Sequence, residues 1–131
     1  MRLLAGLLLP FLAVPAGAAS RDSDDLPVVA RLVSVEPKQA DCGIQFVGTT
    51  ATYLVIEGPA ALSGKQIKVV VPCIEMPRKM YGPEAGDLDA FVPGQTHHLI
   101  VTKQKARLDA PEKLPDDPNG FYLEAASLEP L

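Results

Sequence analysis

Five short runs of the chain combine β-branched or aromatic residues with alternating apolar and polar positions, the pattern of extended strands. The clearest run is Gln66–Val71, in which Ile67, Val69 and Val71 share one face. The first run alternates less regularly, which indicates a bulge or a curved strand. We predict strands over Val28–Val35, Thr50–Ile56, Gln66–Val71, Thr96–Thr102 and Phe121–Leu128, and one short helical turn over Asp87–Phe91.

Five strands without a long helix predict an all-β domain with minor helical content. We expect a five-stranded barrel, closed or partly open, because closure removes unpaired strand edges. The longest irregular connection, 74–95, separates the third and fourth strands. An oligonucleotide/oligosaccharide-binding (OB) barrel commonly carries its small helix there, so most of the chain resembles an OB fold. The main alternative, an immunoglobulin-like sandwich, has about seven strands.

Three segments also resemble the small secreted barrels of the netrin-like type, which form the N-terminal domain of metalloproteinase inhibitors. They are Asp41–Gly43, Thr52–Gly58 and Gly64–Cys73. Those inhibitors begin with Cys-x-Cys, whose free amine meets the metal, whereas this chain has its first cysteine at Cys42. Inhibition by that route does not carry over, and protease inhibition remains an alternative through fold analogy alone.

The N-terminus has the layout of a secretory signal peptide. Arg2 precedes the apolar run Leu3–Val14, and Ala16-Gly17-Ala18 fits the A-x-A cleavage pattern. The apolar run is shorter than the roughly 20 residues that a membrane helix needs. We therefore predict a signal peptide over 1–19, a flexible leader over 20–26 and one barrel domain over 27–131. The mature protein is then secreted or periplasmic, with no integral membrane segment.

The chain has two cysteines, Cys42 and Cys73. In an exported protein an isolated pair predicts a disulfide, and the 42/73 spacing is far from a redox C-x-x-C motif. A hairpin that turns near 58–65 places Cys73 roughly opposite Thr50. The segment carrying Cys42 must therefore fold back over that strand, with Gly48 as a candidate pivot.

Charge and composition exclude several classes of function. The chain carries 16 acidic and 12 basic residues, a formal net charge of −4 at pH 7, which argues against a nucleic-acid partner. It contains neither a G-x-S-x-G elbow nor a glycine-rich phosphate loop. His97 and His98 are adjacent, so on a strand they point to opposite faces. We expect no enzyme activity and no cofactor.

Two groups of side chains are candidates for binding. The cations flank the fourth strand and are predicted to line one rim with nearby apolar residues, facing a protein or a small anionic ligand. This set comprises Arg78, Lys79, Met80, Tyr81, Phe91, Lys103, Lys105 and Arg107. The second group offers thioether and imidazole ligands of the kind that select cuprous copper, namely Met76, Met80, His97 and His98.

These patterns favour a non-enzymatic binding module that uses the connections 74–95 and 103–120, since rigid barrels commonly carry function on their loops. Two alternatives stay open at this point. One is a periplasmic copper-binding protein, in which the disulfide would compete for Cys73. The other is the protease inhibitor suggested by the fold.

Overall fold

The computed structural model describes residues 24–38, 40–43, 47–103 and 118–131. Within these ranges the chain forms five strands and two short 3₁₀ helices. The strands are β1 (Leu26–Val35), β2 (Gly48–Glu57), β3 (Gln66–Pro72), β4 (Thr96–Thr102) and β5 (Gly120–Ser127), and the 3₁₀ helices are Arg78–Tyr81 and Pro83–Ala85. The predicted signal peptide and residues 20–23 of the predicted leader lie outside the described residues.

The strands close into one barrel in the order β1-β2-β3-β5-β4, which confirms the predicted all-β architecture. All neighbours are antiparallel except β3 and β5, which run parallel with Val69 beside Phe121. This arrangement is compatible with an OB-like fold. β1 pairs with both β2 and β4 and carries two register shifts, so the irregular alternation of its sequence corresponds to bulges in a curved strand.

The barrel interior is filled by alternate residues of every strand. Tyr53, Phe121 and Leu99 are among its largest members, and each is at most 2% exposed. Leu88, which belongs to no strand, is also buried in this core. It therefore fixes the long connection between β3 and β4 to the barrel interior.

The two ends of the barrel carry different connections. We call the end where β1, β3 and β5 finish and β2 and β4 begin the disulfide end, because the Cys42–Cys73 disulfide lies there. The β3–β4 connection, 73–95, also lies at this end. The opposite hairpin end holds the β2–β3 turn and Lys103, which follows β4.

Two local predictions were wrong. The helical turn predicted at Asp87–Phe91 is absent from the structure, and the helical turns lie earlier, at Arg78–Tyr81 and Pro83–Ala85. The reason is that the amide of Leu88 donates to the carbonyl of Ala126 in β5, at 3.1 Å, instead of bonding within its own segment. Packing against the barrel outweighs the local helical preference.

The hairpin register also differs from the prediction. Pro72 pairs with Gly48, and the amide of Cys73 donates to Val47 O at 2.9 Å, so Cys73 does not lie opposite Thr50. The amide of Gly64 donates to Val55 O, so the turn of the hairpin lies between these two residues. The resulting register brings the end of β3 next to the segment that contains Cys42.

Neither of the 3₁₀ helices is long enough to cross a bilayer, and the described ranges contain no other helix.

Candidate functional site

The β3–β4 connection is tied at its start to the loop between β1 and β2. The disulfide joins Cys42 to Cys73 with their Cα atoms 5.5 Å apart, as the sequence predicted. The amide of Cys42 donates to the Glu75 carboxylate at 2.7 Å, which adds a second link between the two loops. The connection thus leaves β3 in a defined direction.

Arg78 holds the next turn of the connection from the inside. Its Nη2 donates to the carbonyl oxygens of Cys73 and Met76, at 2.6 and 3.0 Å. The side chain is buried, with 2% of its surface exposed, and burial lowers the pKa of the guanidinium. Arg78 is therefore a buried cation that organises this loop, and it does not extend from a solvated rim.

Two aromatic rings contact the same guanidinium. Its central carbon lies 4.7 Å from the ring centroid of Tyr81 and 5.3 Å from that of Phe91, both cation–π distances. The Tyr81 hydroxyl also donates to the sulfur of Met76 at 3.8 Å. The structure therefore gathers Met76, Tyr81 and Phe91 around Arg78, although nine residues lie between Tyr81 and Phe91 along the chain.

Tyr53 and His97 form a buried hydrogen-bonded pair in the barrel, next to Phe91. The Tyr53 hydroxyl lies 2.8 Å from Nδ1 of His97, and Oε1 of Gln95 lies 3.2 Å from Nε2. Burial raises the pKa of Tyr53, so its hydroxyl stays protonated and donates to Nδ1, leaving Nε2–H to donate to Gln95. Burial lowers the pKa of His97 to about 4, and its ring packs edge-on against Phe91 at 5.9 Å.

Besides the disulfide and the hydrogen bonds of Arg78, a third set of contacts holds the connection to the barrel, where the connection packs against β5. Gly86 approaches so closely that a Cβ there would lie 2.1 Å from the carbonyl oxygen of Ala126. The neighbouring carboxylate of Asp87 accepts a hydrogen bond from the Ser127 hydroxyl. Together with buried Leu88, these contacts hold the connection against the disulfide end of the barrel.

Among the described residues, the cations predicted to share one rim lie at different places. Lys79 is exposed at the disulfide end, whereas Lys103 lies at the hairpin end, beyond the opposite end of β4. Nζ of Lys103 donates to Pro118 O at 2.8 Å and to Gly120 O, and lies 4.1 Å from the ring centroid of Phe121. Lys105 and Arg107 fall outside the described residues. The prediction failed because residues that precede and follow one strand emerge at opposite ends of a barrel.

The two histidines considered for copper do not share one site. Both ring nitrogens of buried His97 are engaged by Tyr53 and Gln95. His98 faces the other side of β4, where it lines a surface groove. Within the described residues, no group of three or more His, Cys, Asp or Glu side chains has the proximity that a metal ion needs.

That groove has a volume of about 240 Å³ and lies on the outside of β1 and β4. Pro130 and Leu131, near the C-terminus, form part of its lining. Its walls are mainly apolar, with Glu57 and His98 as the ionisable residues among them. No pattern in the sequence indicates this groove, because its lining combines residues of β1, β4 and the C-terminus that are far apart along the chain.

The exposed surface of the β3–β4 connection is the stronger candidate for binding. Met80 and Val92 are 62% and 46% exposed. Met80 directly precedes Tyr81, and Val92 directly follows Phe91, the two aromatic residues that contact Arg78. We call Met76, Met80, Tyr81, Phe91 and Val92 the loop surface. Sequence reasoning identified the first four of these residues, whereas it missed Val92 and the supporting side chains of Tyr53 and Gln95.

Comparison with known protein families, with curated proteins and with solved structures found no match to this chain.

Proposed function

We propose that this protein is an exported, non-enzymatic binding module that recognises a protein partner through the loop surface. The observation that carries the proposal is a pair of exposed apolar side chains, Met80 and Val92, on a connection that is fixed to the barrel at three points. Exposed apolar groups on an ordered surface favour association, because their burial against a partner removes them from water.

The first support is the rigidity of the connection. The disulfide holds its start, the hydrogen bonds of Arg78 hold its first turn, and Leu88 with Gly86 holds its return to the barrel. A surface ordered before binding loses less conformational entropy when the partner arrives. These ties therefore favour binding to a connection whose backbone is already ordered.

The second support is the kind of residue on the loop surface. Met, Tyr and Phe are enriched at protein interfaces, and aromatic residues in particular dominate the energy of binding at many of them. Tyr81 and Phe91 are half-buried, so part of each ring is accessible to a partner while the ring also contacts Arg78. Lys79 supplies a charged rim next to them.

Export is supported by the covalent link between the cysteines. Disulfides persist in oxidising compartments and are rare in reducing ones. The Cys42–Cys73 bond thus agrees with the predicted signal peptide, and the mature protein is proposed to act in the periplasm or outside the cell.

The proposal is tested by selecting binders from a displayed library of random peptides. The wild-type protein is the bait, and selected peptides are then measured against the Met80→Asp and Val92→Asp variants. The matched control is Ile56→Asp, because Ile56 is also an exposed apolar residue, 47% accessible, but lies near the end of β2, at the hairpin end of the barrel. We expect each loop variant to weaken binding about tenfold or more, and the control to leave it within about twofold.

Selected peptides that bind all four proteins equally would contradict the proposed surface. So would peptides that lose affinity only for Ile56→Asp. A selection that yields no peptide above background in repeated rounds would count against a peptide-binding function altogether.

A further inference from the structure

Arg78 is a buried cation without an anionic partner in the part of the chain that the structure describes. The ion pair found there joins Lys38 to Asp41, and it involves neither Arg78 nor its neighbours. Buried charges are ordinarily paired, because removing a charge from water without compensation is unfavourable. The cluster therefore holds a positive charge that the protein itself leaves incompletely compensated.

The closest acidic residue along the chain, Glu75, is engaged elsewhere. Its carboxylate accepts the amide of Cys42 at 2.7 Å and belongs to the link between the two loops. It raises the pKa of Arg78 by its charge, but the larger effect of burial lowers it. Glu75 thus acts on the guanidinium from a distance and does not form an ion pair with it.

The hydrogen bonds of the guanidinium are also incomplete. Nη2 reaches two carbonyl oxygens, whereas Nε is buried and has no hydrogen-bond partner. A buried donor without an acceptor is uncommon in folded proteins and destabilises them. A single acceptor brought to Nε by a ligand would therefore satisfy an existing deficit.

The cover over this cation is the side chain of Tyr81. Its ring lies 4.7 Å from the guanidinium carbon, it is half-buried, and its hydroxyl makes a contact of 3.8 Å with the sulfur of Met76. Gly82, directly after it, has a φ of 101° and free space around its Cα. Tyr81 belongs to no strand, whereas the ring of Phe91 packs edge-on against His97 in β4.

We propose that the partner supplies a carboxylate that pairs with Arg78 at its Nε–H, with the ring of Tyr81 moving aside to admit it. This inference rests on the proposed function, since it names the chemistry that the loop surface recognises. The exposed cation of Lys79 attracts the same anion at longer range. An oxygen acceptor with a full negative charge forms the strong, charge-assisted hydrogen bond that a buried guanidinium favours.

The test uses small probes and therefore does not require the partner. The full protein, labelled with ¹⁵N, is titrated at constant ionic strength with N-acetyl-aspartate amide and, separately, with N-acetyl-asparagine amide. N-acetyl-alanine provides a terminal carboxylate, and inorganic phosphate provides a different anion. The Nε–H resonance of Arg78 is followed together with the ring signals of Tyr81.

We expect saturable shifts of both signals with either carboxylate probe, with a Kd on the order of 10 mM, and none with the asparagine probe. The stronger of the two carboxylates identifies a side chain or a chain terminus as the source. Equal shifts with the aspartate and asparagine probes would overturn the proposal. Tighter binding of phosphate would overturn the choice of a carboxylate.

Variants assign the response to a residue. Arg78→Lys should abolish saturation, whereas Lys79→Met should weaken binding about twofold without abolishing saturation, because Lys79 acts only at longer range. Tyr81→Ala should raise the affinity severalfold because the ring no longer has to move. A response lost in Lys79→Met would place the anion on Lys79 and refute the inference. Should Arg78→Lys fail to fold, the comparison of the aspartate and asparagine probes on the wild-type protein decides alone.

The two proposals fail separately. If selected peptides depend on Met80 and Val92 but keep their affinity when every acidic group is replaced by its amide, the loop surface stands and the Arg78 pairing falls. If the probes bind at Arg78 but no selected peptide depends on the loop surface, the cluster binds an anion and the protein-recognition role falls.

Discussion

At the scale of single residues, Gly86 shows how tightly the β3–β4 connection is pressed onto the barrel. It has a φ of 87°, and a Cβ there would lie 2.1 Å from Ala126 O and 2.7 Å from Ala126 C. Both atoms are backbone of β5 and cannot turn away. Glycine is required at this position by backbone conformation and by space together.

Gly86→Ala should therefore destabilise the fold more than the same change at Gly82. The two glycines share a backbone region, with φ and ψ of 87° and −173° at Gly86 and of 101° and 168° at Gly82. Strain in this region is worth about 1–3 kcal/mol at either site, and the clash adds about 1–3 kcal/mol at Gly86 alone. Urea unfolding of both variants measures the difference. Equal losses would show that the connection does not touch β5 as described.

His97 makes the stability of the fold depend on pH. Its folded pKa of about 4 lies below its ordinary value of 6.5, since burial disfavours the charged imidazole. Between these two pH values the unfolded chain binds the proton and the folded protein does not. The stabilisation is thus fully present above pH 6.5 and is lost as the pH falls towards 4, by about 3 kcal/mol in total.

His97→Asn removes this dependence while keeping an acceptor for the Tyr53 hydroxyl. The difference in unfolding free energy between wild type and variant should shrink by about 3 kcal/mol between pH 7 and pH 4. Denaturant unfolding at a series of pH values measures it. The matched change at His98, on the other face of β4, separates the loss of a buried imidazole from the loss of any histidine. A constant difference for His97→Asn would rule out the buried neutral ring.

At the scale of elements, the β3–β4 connection depends on one side chain placed at its centre. Arg78 donates hydrogen bonds to the carbonyl oxygens of Cys73 and Met76, and its guanidinium contacts two aromatic rings. No lysine can reproduce these contacts, because a guanidinium is planar and stacks on rings while directing several donors. The order of the loop surface therefore rests on Arg78.

Arg78→Lys should lower the free energy of unfolding by about 2 kcal/mol, the usual loss for a hydrogen bond to a charged group. The amides of Met76 and Arg78, which bond to Cys73 O and Leu88 O, should exchange with solvent faster, while amides within the strands keep their protection. The reciprocal change Lys79→Arg is the control, expected within about 0.5 kcal/mol of wild type. Equal effects of the two changes would contradict the central role of Arg78.

The strands could be predicted from the sequence because a strand with one buried face has apolar residues at every second position. All five were placed within two residues of their observed ends, and β4 at its observed bounds, Thr96–Thr102. The connection between β3 and β4 could not be predicted in the same way. Its conformation follows from contacts such as that of Leu88 with Ala126, which join residues far apart in the chain.

The candidate site was predicted as a set of residues but not as an arrangement. Met80, Tyr81 and Phe91 were recognised as apolar residues in an irregular segment, and the rings of Tyr81 and Phe91 both contact Arg78. The burial of Arg78 left no mark in the sequence, since a charged residue between polar and proline-containing segments is typical of a solvated loop. Its acceptors are main-chain carbonyls, which every residue possesses.

At the scale of the whole molecule, a closed barrel supports one covalently fixed connection. The Cys42–Cys73 bond spans 31 residues and links the loops on either side of the β2–β3 hairpin. In the chain-entropy account, a loop of this length stabilises the fold by roughly 3–4 kcal/mol. That is a large share of the total stability of a small domain, which is about 5–15 kcal/mol.

Reduction of this bond should lower the melting temperature by many degrees. Melting is followed by circular dichroism with and without a dithiol reductant, and thiol counting verifies that two thiols have formed. The double variant Cys42→Ala/Cys73→Ala should melt at a temperature that the reductant does not change. Unchanged melting of the wild-type protein after verified reduction would contradict a stabilising disulfide.

A partner is proposed to bind at the disulfide end of the barrel, on the ordered β3–β4 connection. Amide chemical shifts of the labelled protein, measured with a selected peptide, map where that peptide binds. We expect shifts concentrated in 76–82 and 90–93, with the β-strand amides nearly unmoved. Shifts concentrated instead at the groove lined by His98, Pro130 and Leu131 would contradict it.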